Sequence, residues 1–282
     1  MRNSIAIYPR KHPRVLFKYL DVNGASLTLK DESLKFTPPN QLNDMFECLP
    51  AGVRRSRRLS RKEAGAYLVL QYESASGRIH SPAPVSDQNT LNAWRAGKIT
   101  REKLEEVRRI AEKQHFLNCN AISRDISILS LSSLPDEILM WGHYAENGSG
   151  IVIGFDTTNF PKTLPVHYKS HRVEINLLEK EKSILRMLST KFKEWKYEKE
   201  WRVVALNENL KPEKGFYLYQ FHKQSVSTII LGPRTPTKLV EQVLHFVEGT
   251  EIKLQKASID PSRFKLKIFP SSLANDKTEP SR

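Results

Sequence analysis

The chain has 282 residues, of which 39% are hydrophobic, and its 45 Lys and Arg against 31 Asp and Glu give a formal net charge of +14. It can therefore build a core, and it contains no apolar run of the roughly 18–20 residues that cross a membrane. The two cysteines, Cys48 and Cys119, lack zinc-ligand spacing, which argues against a disulfide scaffold and against a metal site. Because the first residues also lack a signal peptide, we expect a cytoplasmic protein without a membrane or metal partner.

Secondary structure is predicted from the spacing of apolar residues. Short segments rich in β-branched and aromatic residues predict strands at 15–19, 33–36, 126–130, 150–155, 166–168, 201–206, 215–218, 227–231 and 265–269. Helical spacing predicts helices over 100–116, with Thr100 as the cap, over 178–195, and from Thr235-Pro236 onward. Strands and helices without regular alternation predict an α+β domain with a mixed, largely antiparallel sheet and flanking helices.

The basic charge is concentrated in one part of the chain. Residues 51–115 contain 14 basic and 7 acidic side chains, a net +7, which is half of the total surplus. Such a run can bind nucleic-acid phosphates with little sequence preference. Because it lacks interleaved aromatic residues, a solvated surface helix or loop is the alternative. The expected nucleic-acid contacts are Arg54, Arg55, Arg57, Arg58, Arg61 and Lys62.

Several motifs resemble a known family. They are Phe17-Lys18-Tyr19, Leu34-Lys35-Phe36-Thr37-Pro38-Pro39, Leu42-Asn43-Asp44-Met45-Phe46-Glu47-Cys48, Ser130-Leu131-Ser132, Leu139-Met140-Trp141-Gly142-His143-Tyr144-Ala145, the strand at 150–156, Lys196-Tyr197-Glu198-Lys199-Glu200-Trp201-Arg202-Val203 and Ile229-Ile230-Leu231-Gly232. Their order resembles the bacterial domain-of-unknown-function family 2971, a family without an assigned activity. Since residues 51–120 match none of these motifs, we expect one domain over 1–270 with a variable, basic, helical insertion at 51–120 and a flexible tail at 271–282.

The segment after residue 195 has the most informative charge pattern. If residues 197–204 are extended, the two-residue period places Glu198, Glu200 and Arg202 on one face. Two carboxylates at about 7 Å, by strand rise, can raise the pKa of one of them and stabilise a cationic, oxocarbenium-like transition state. Arg202 can hold one of them in place. A solvated strand face or a structural Glu–Arg pair is the alternative interpretation.

The same residues are similar to the ordered motifs of ADP-ribosyltransferases. These enzymes carry a basic residue on an early strand, then a Ser-x-Ser strand, then a motif ending in Glu. Here Lys18 (or His12 or Arg14) takes the first place, Ser130 and Ser132 the second, and Glu198 and Glu200 the third. The resemblance implies NAD as a co-substrate.

The resemblance also implies roles for these residues. Lys18 would contact the phosphate or ribose, the serines would order the nicotinamide end, and Glu200 would bind a ribose hydroxyl and promote the loss of nicotinamide. Glu198 would orient or deprotonate the acceptor, and Tyr144 or Trp141 would stack on the nicotinamide ring. Tyr19 and Arg202 complete the expected cofactor site.

His143 is a further catalytic candidate. Histidine titrates near neutrality, and between aromatic neighbours it can act as a general base or recognise a flat ring. The alternative is that Trp141 and Tyr144 begin a short helix packed under the sheet. Because the sequence lacks Gly-x-Ser-x-Gly, GxGxxG and P-loop motifs, a serine hydrolase and the common nucleotide sites have no support.

Three functional hypotheses follow. The first is an NAD-consuming, ADP-ribosyltransferase-like effector of a toxin or phage-defence system, acting on a polyanionic target. The second is a non-catalytic nucleic-acid-binding module that uses the basic insertion. A third combines them as a metal-independent nuclease or nucleotide-processing effector with His143 and Glu200.

Overall fold

The structure, a computed structural model, describes residues 12–49, 88–103, 105, 106, 109, 124–174 and 180–274. The chain divides into two units: unit 1 is Met1–Leu42, Asp125–Tyr168 and Phe192–Arg282, and unit 2 is Asn43–Arg124 and Lys169–Lys191. The basic run at 54–62, much of the expected insertion and most of the expected tail lie outside the described residues. The single domain over 1–270 therefore stays a prediction.

The strands of the described residues are β1 (Val15–Leu20), β2 (Ser33–Phe36), β3 (Ile126–Ser132), β4 (Ile151–Asp156), β5 (Leu164–Pro165), β6 (His167–Lys169), β7 (Thr190–Phe192), β8 (Glu200–Leu206), β9 (Lys211–Glu213), β10 (Phe216–Gln220), β11 (Val226–Leu231), β12 (Lys253–Ile259) and β13 (Leu266–Pro270). The helices discussed below are α1 (Val22–Asp31), α2 (Gln88–Arg95), α3 (Ile138–Tyr144), α4 (Lys180–Leu188) and α5 (Thr237–Val247). Helices α2 and α4 belong to unit 2.

Unit 1 is built on an eight-stranded sheet in the order β13-β12-β11-β4-β1-β3-β8-β5. Adjacent strands in this sheet run antiparallel, except for β11 and β12, which are parallel to each other. A smaller sheet has the order β2-β10-β9. The predicted α+β class with a mixed, largely antiparallel sheet is confirmed.

Apolar side chains cover both faces of the large sheet. On one face, Leu16 and Leu131 pack in the larger core with helices α1 and α5. On the other face, Tyr19 packs in the smaller core with Met140 and Trp141 of helix α3. Successive strand residues point to opposite faces, so each strand contributes to both cores. None of the helices in the described part of the chain combines the length and apolar composition needed to span a bilayer.

Two sequence predictions are wrong around strand β8. The predicted helix over 178–195 ends at Leu188, where helix α4 gives way to strand β7. Residues Lys193–Glu198 form a 3-10 helix, and Lys199 then adopts a left-handed backbone conformation with φ 44°. Strand β8 therefore begins at Glu200, within one residue of the strand predicted at 201–206, and the assumed extension over residues 197–199 is wrong.

The predicted caps have different outcomes. The hydroxyl of Thr100 accepts a hydrogen bond from the main-chain N–H of Lys103 at 3.2 Å, as expected for an N-cap. Thr235 does not cap helix α5, which begins at Thr237, because its hydroxyl donates to the main-chain oxygen of Gly150 at 3.0 Å. This bond joins the turn before α5 to the start of strand β4.

Candidate active site

Three neighbouring strands bring the predicted site residues together. In the sheet order, β3 lies between β1 and β8. Ser132 of β3 is the register partner of both Phe17 on β1 and Glu200 on β8. Ser130 is opposite Arg202 on β8. Paired residues share a face and Phe17 packs against the smaller core, so these polar side chains lie on the face that helix α3 covers.

Glu200 and Arg202 form a buried ion pair with two hydrogen bonds. The Nε of Arg202 donates to Oε1 of Glu200 at 2.8 Å, and its Nη2 donates to Oε2 at 2.9 Å. Arg202 is 0% exposed and Glu200 is 4% exposed. Because two charges in such a place are stable only when they are paired and hydrogen-bonded, the guanidinium fixes the orientation of Glu200.

Glu198 reaches the same region from a different element. It ends the 3-10 helix and is 3% exposed. The hydroxyl of Tyr144 on helix α3 donates to Oε1 of Glu198 at 2.5 Å. The hydroxyl of Ser132 donates to the main-chain oxygen of Glu198 at 2.7 Å. The prediction that Glu198 shares a strand face with Glu200 is wrong, because the left-handed turn at Lys199 separates them; both carboxylates are nevertheless buried.

Lys18 lies where strands β1 and β3 separate. Within these two described strands, Phe17↔Ser132 is the one register pair. The ammonium of Lys18 donates to the main-chain oxygen of Ser130 at 3.2 Å. Burial lowers the pKa of Lys18 from 10.5 to about 8, while the carboxylate of Glu200 opposes the shift. Lys18 therefore interacts electrostatically with the glutamate site.

Two of the expected cofactor residues are part of the core. Tyr19 is 5% exposed, and its hydroxyl donates to the main-chain oxygen of Leu134 at 2.8 Å. Burial raises the pKa of this phenol. Trp141 is 2% exposed, its indole N–H donates to the main-chain oxygen of Pro135, and its ring packs edge-on against Tyr19. These contacts agree with the alternative that residues 141–144 form a short helix under the sheet.

His143 lies on the exposed side of helix α3. Its ring centroid is 6.2 Å from that of Tyr144 and 6.3 Å from that of Tyr197. It is therefore close to the tyrosine that holds Glu198. No hydrogen bond from His143 to either glutamate is present among the described residues.

The two alternatives to Lys18 have other contacts. His12 packs edge-on against Trp201, and its Nε2 lies 2.6 Å from the hydroxyl of Thr163. Trp201 points to the sheet face opposite Glu200, because the two residues are adjacent on β8. Arg14 is exposed and forms an ion pair with Asp156 at 3.6 Å. Lys18 pairs with Ile153 of the larger core, so its side chain leaves strand β1 on the face opposite Glu200. Its link to the glutamates is therefore the electrostatic effect of the Glu200 carboxylate on its pKa and not a contact on the same face.

The structure also shows a cavity that sequence reasoning missed. It has a volume of about 550 Å³ and lies between helix α3, the Pro233-Arg234 turn and the loop that joins β12 to β13. Neither Glu198 nor Glu200 lines it. In that loop an aromatic side chain stands between two cations, in the order Arg263, Phe264 and Lys265. This triplet is the sequence signal that points to the cavity.

Fold and site together define an α+β protein with a buried glutamate–arginine site under a short helix. A family model described as "Protein of unknown function (DUF2971)" matches residues 140–203. The match includes Tyr144, Glu198, Glu200 and Arg202, and it confirms the resemblance to this family over these residues. Searches of curated proteins and of solved structures gave no match.

Proposed function

We propose that this protein is an NAD-consuming, ADP-ribosyltransferase-like enzyme that modifies a polyanionic target. The supporting observation is the register of strands β1, β3 and β8. Ser132 and Glu200 lie opposite each other, and Lys18 reaches the neighbouring Ser130, although 112 residues separate Lys18 from Ser130 in the chain. Motifs that matched by chance would have no reason to become neighbours in the sheet, so their adjacency favours a common function. Lys18 leaves strand β1 on the opposite face and would act on the site from the place where β1 and β3 separate.

The proposed reaction is a substitution at ribose carbon C1′ of NAD. The bond between ribose carbon C1′ and the nicotinamide nitrogen breaks, and nicotinamide leaves with the electron pair. A nucleophile of the target forms a new bond to C1′ and releases its proton. In this proposal Glu200 stabilises the positive charge that develops on the ribose, and Glu198 receives the proton.

The neighbours of the two glutamates fit these different tasks. The guanidinium of Arg202 donates to both oxygens of Glu200, and an opposite charge at this distance favours the carboxylate form that stabilising a cation requires. Glu198 has a phenol as its partner, and a phenol can exchange its hydrogen bond for one to a substrate hydroxyl. Because both glutamates are buried, we propose that Tyr144 moves away from Glu198 when the ribose enters.

Lys18 suits the phosphate end of the dinucleotide. An ammonium with a pKa of about 8 is still mostly protonated at neutral pH, and an approaching diphosphate would raise that pKa further by opposite charge. The net charge of +14 supports a polyanionic target in a more general way, because it favours encounters with such partners.

The proposal is tested by measuring nicotinamide release and the transfer of label from labelled NAD to proteins and nucleic acids of a lysate. We expect the full chain to release nicotinamide, and Glu200→Gln to reduce the rate by at least about a hundredfold, a typical size for losing an electrostatic catalytic group. Glu213→Gln on strand β9, the same change at an exposed position, is the matched control.

Loss of folding is separated from loss of chemistry by thermal unfolding of each variant. If Glu200→Gln unfolds below the assay temperature, Glu198→Gln replaces it, since that variant leaves the Glu200–Arg202 ion pair intact. Nicotinamide release that is equal in wild type and both folded variants, or absent in wild type over a panel of lysates, contradicts the proposal.

A further inference from the structure

The cavity beside helix α3 is lined by apolar side chains and has cations at its rim. Ile138 and Gly142 of α3 and Pro233 form part of its wall. Arg234, Arg263 and Lys265 also line it, and all three are exposed. Its volume of about 550 Å³ is in the range of sites that enclose one small flat ligand group. The cavity therefore fits a group that is apolar in its body and negatively charged at its edge.

The loop between β12 and β13 is held in a fixed shape. Oδ1 of Asp260 accepts hydrogen bonds from the main-chain N–H groups of Ser262 and Arg263 at 2.9 and 3.1 Å. Oδ2 of Asp260 forms an ion pair with Lys267 at 2.8 Å. Among the described residues that line the cavity, Asp260 is the acidic one, and Lys267 neutralises it. The three cations of the rim therefore outnumber the acidic groups that line the cavity among the described residues.

Phe264 at the tip of this loop is entirely exposed, with a relative exposure of 103%. It stands between Arg263 and Lys265 in the chain. An exposed ring costs free energy in water, and a rigid loop that presents it between two cations matches the stacking platforms of single-strand-binding proteins. The basic run at 54–62 lacks this combination of ring and charge.

We propose that this cavity and the Arg263-Phe264-Lys265 loop bind single-stranded nucleic acid, with one base in the cavity, the next base stacked on Phe264, and the intervening phosphate near Arg263 or Arg234. A free mononucleotide would be mostly enclosed by its pocket. Phe264 lies at the edge of the cavity with its ring exposed to solvent, which suits a second base of the same strand. The site is independent of the proposed transferase activity, because neither glutamate lines it.

The test is fluorescence anisotropy of the full chain with a labelled oligothymidylate of about 12 nucleotides, a length that one such binding face can cover. Removing one stacking partner typically costs about 1–3 kcal/mol, so Phe264→Ala should weaken binding about five- to 150-fold. Phe264→Trp should retain the affinity. Phe269→Ala is the matched control, since Phe269 is a half-exposed ring on strand β13 whose side chain points away from its neighbour Ile268 and the smaller core.

Gly142 provides a second, independent variant. A Cβ atom added there would meet nothing within 4 Å, and Gly142 lines the cavity, so we expect the side chain of Gly142→Leu to occupy part of it. We expect it to weaken strand binding about tenfold or more, and Arg263→Gln to lower the slope of log affinity against log salt by about one. Thermal unfolding should be unchanged in Phe264→Ala, because the ring makes no buried contact.

Three results would overturn the inference. The first is no binding of the strand by wild type at low salt. The second is unchanged affinity in both Phe264→Ala and Gly142→Leu, which would assign the binding to charge elsewhere in the chain. The third is competition by thymidine monophosphate at the same concentration as the strand, which would identify a mononucleotide pocket. Loss of nicotinamide release in Glu200→Gln does not affect any of these results.

Discussion

Arg202 and Glu200 hold each other through two parallel hydrogen bonds on one face of strand β8, where neither side chain meets solvent. Replacing Arg202 by Met would leave a buried carboxylate without its guanidinium. We expect Arg202→Met to lower the free energy of unfolding by about 3–5 kcal/mol, measured by urea denaturation. The double variant Glu200→Gln, Arg202→Met should be more stable than Arg202→Met alone, because no charge is then stranded. A cost below about 1 kcal/mol for Arg202→Met would contradict this account.

Tyr144→Phe removes the hydroxyl that donates to Glu198. The carboxylate is 3% exposed and would lose a partner that water cannot easily replace. We expect a loss of about 1–3 kcal/mol in unfolding free energy. The control is Tyr217→Phe, a partly buried tyrosine packed against the larger core. If the Tyr144 hydroxyl stabilises the buried Glu198 carboxylate, Tyr144→Phe must lower the free energy of unfolding clearly more than Tyr217→Phe does.

Lys18 gives the protein a pH-dependent stability. Its pKa is lowered from 10.5 to about 8 in the folded chain, so the unfolded chain binds more protons between these two values. The stability contribution of Lys18 therefore rises as pH increases from about 8 to about 10.5 and is at its lowest below pH 8.

Lys18→Met removes this dependence. The stability of the variant relative to wild type should be higher at pH 7 than at pH 10.5, by on the order of 2–3 kcal/mol after allowance for the solvent-exposed part of the side chain. Denaturant unfolding of both proteins at the two pH values measures the difference. An equal difference at both pH values would show that the ammonium is not desolvated.

Replacing a glycine by alanine should have opposite effects on stability at Gly150 and at Gly142. A Cβ atom at Gly150 would lie 1.9 Å from the main-chain oxygen of Leu20, so Gly150→Ala must displace strand β1 or β4 and should cost more than about 2 kcal/mol. Gly142, inside helix α3, has open space at its Cβ position. Gly142→Ala should stabilise the fold by up to about 1 kcal/mol, the difference in helix propensity. Thermal unfolding of Gly150→Ala and Gly142→Ala, each compared with wild type, measures whether the first is less stable and the second more stable.

Much of the fold could be predicted from local patterns. Strands β2, β4 and β11 were found within one residue, because short apolar, β-branched segments are a strong signal. Helix α1 was missed because its sequence contains Gly24 and β-branched residues, although Asp21 caps it by accepting from the N–H of Gly24. Strand β12 was missed because its polar and apolar residues alternate only weakly.

The arrangement of the candidate site was less predictable. The spacing of Glu200 and Arg202 on one strand was sufficient to predict their shared face, since both lie within β8. Glu198 was misplaced because a left-handed lysine has no sequence signal; the conformation is rare outside glycine and asparagine. The pairing of Ser132 with Glu200 depends on register between distant strands, which local patterns do not contain.

The left-handed turn at Lys199 gives the two carboxylates different supports. Glu200 is fixed by the ladder of strand β8, whereas Glu198 ends a 3-10 helix and is held by Tyr144 and, through its main-chain oxygen, by Ser132. The main-chain oxygen of Lys199 accepts from the N–H of Ser133 at 3.1 Å, so a rotation of the Lys199 backbone would change the spacing of the carboxylates only by breaking that bond. The distance between the two acid groups is thus tied to the end of strand β3.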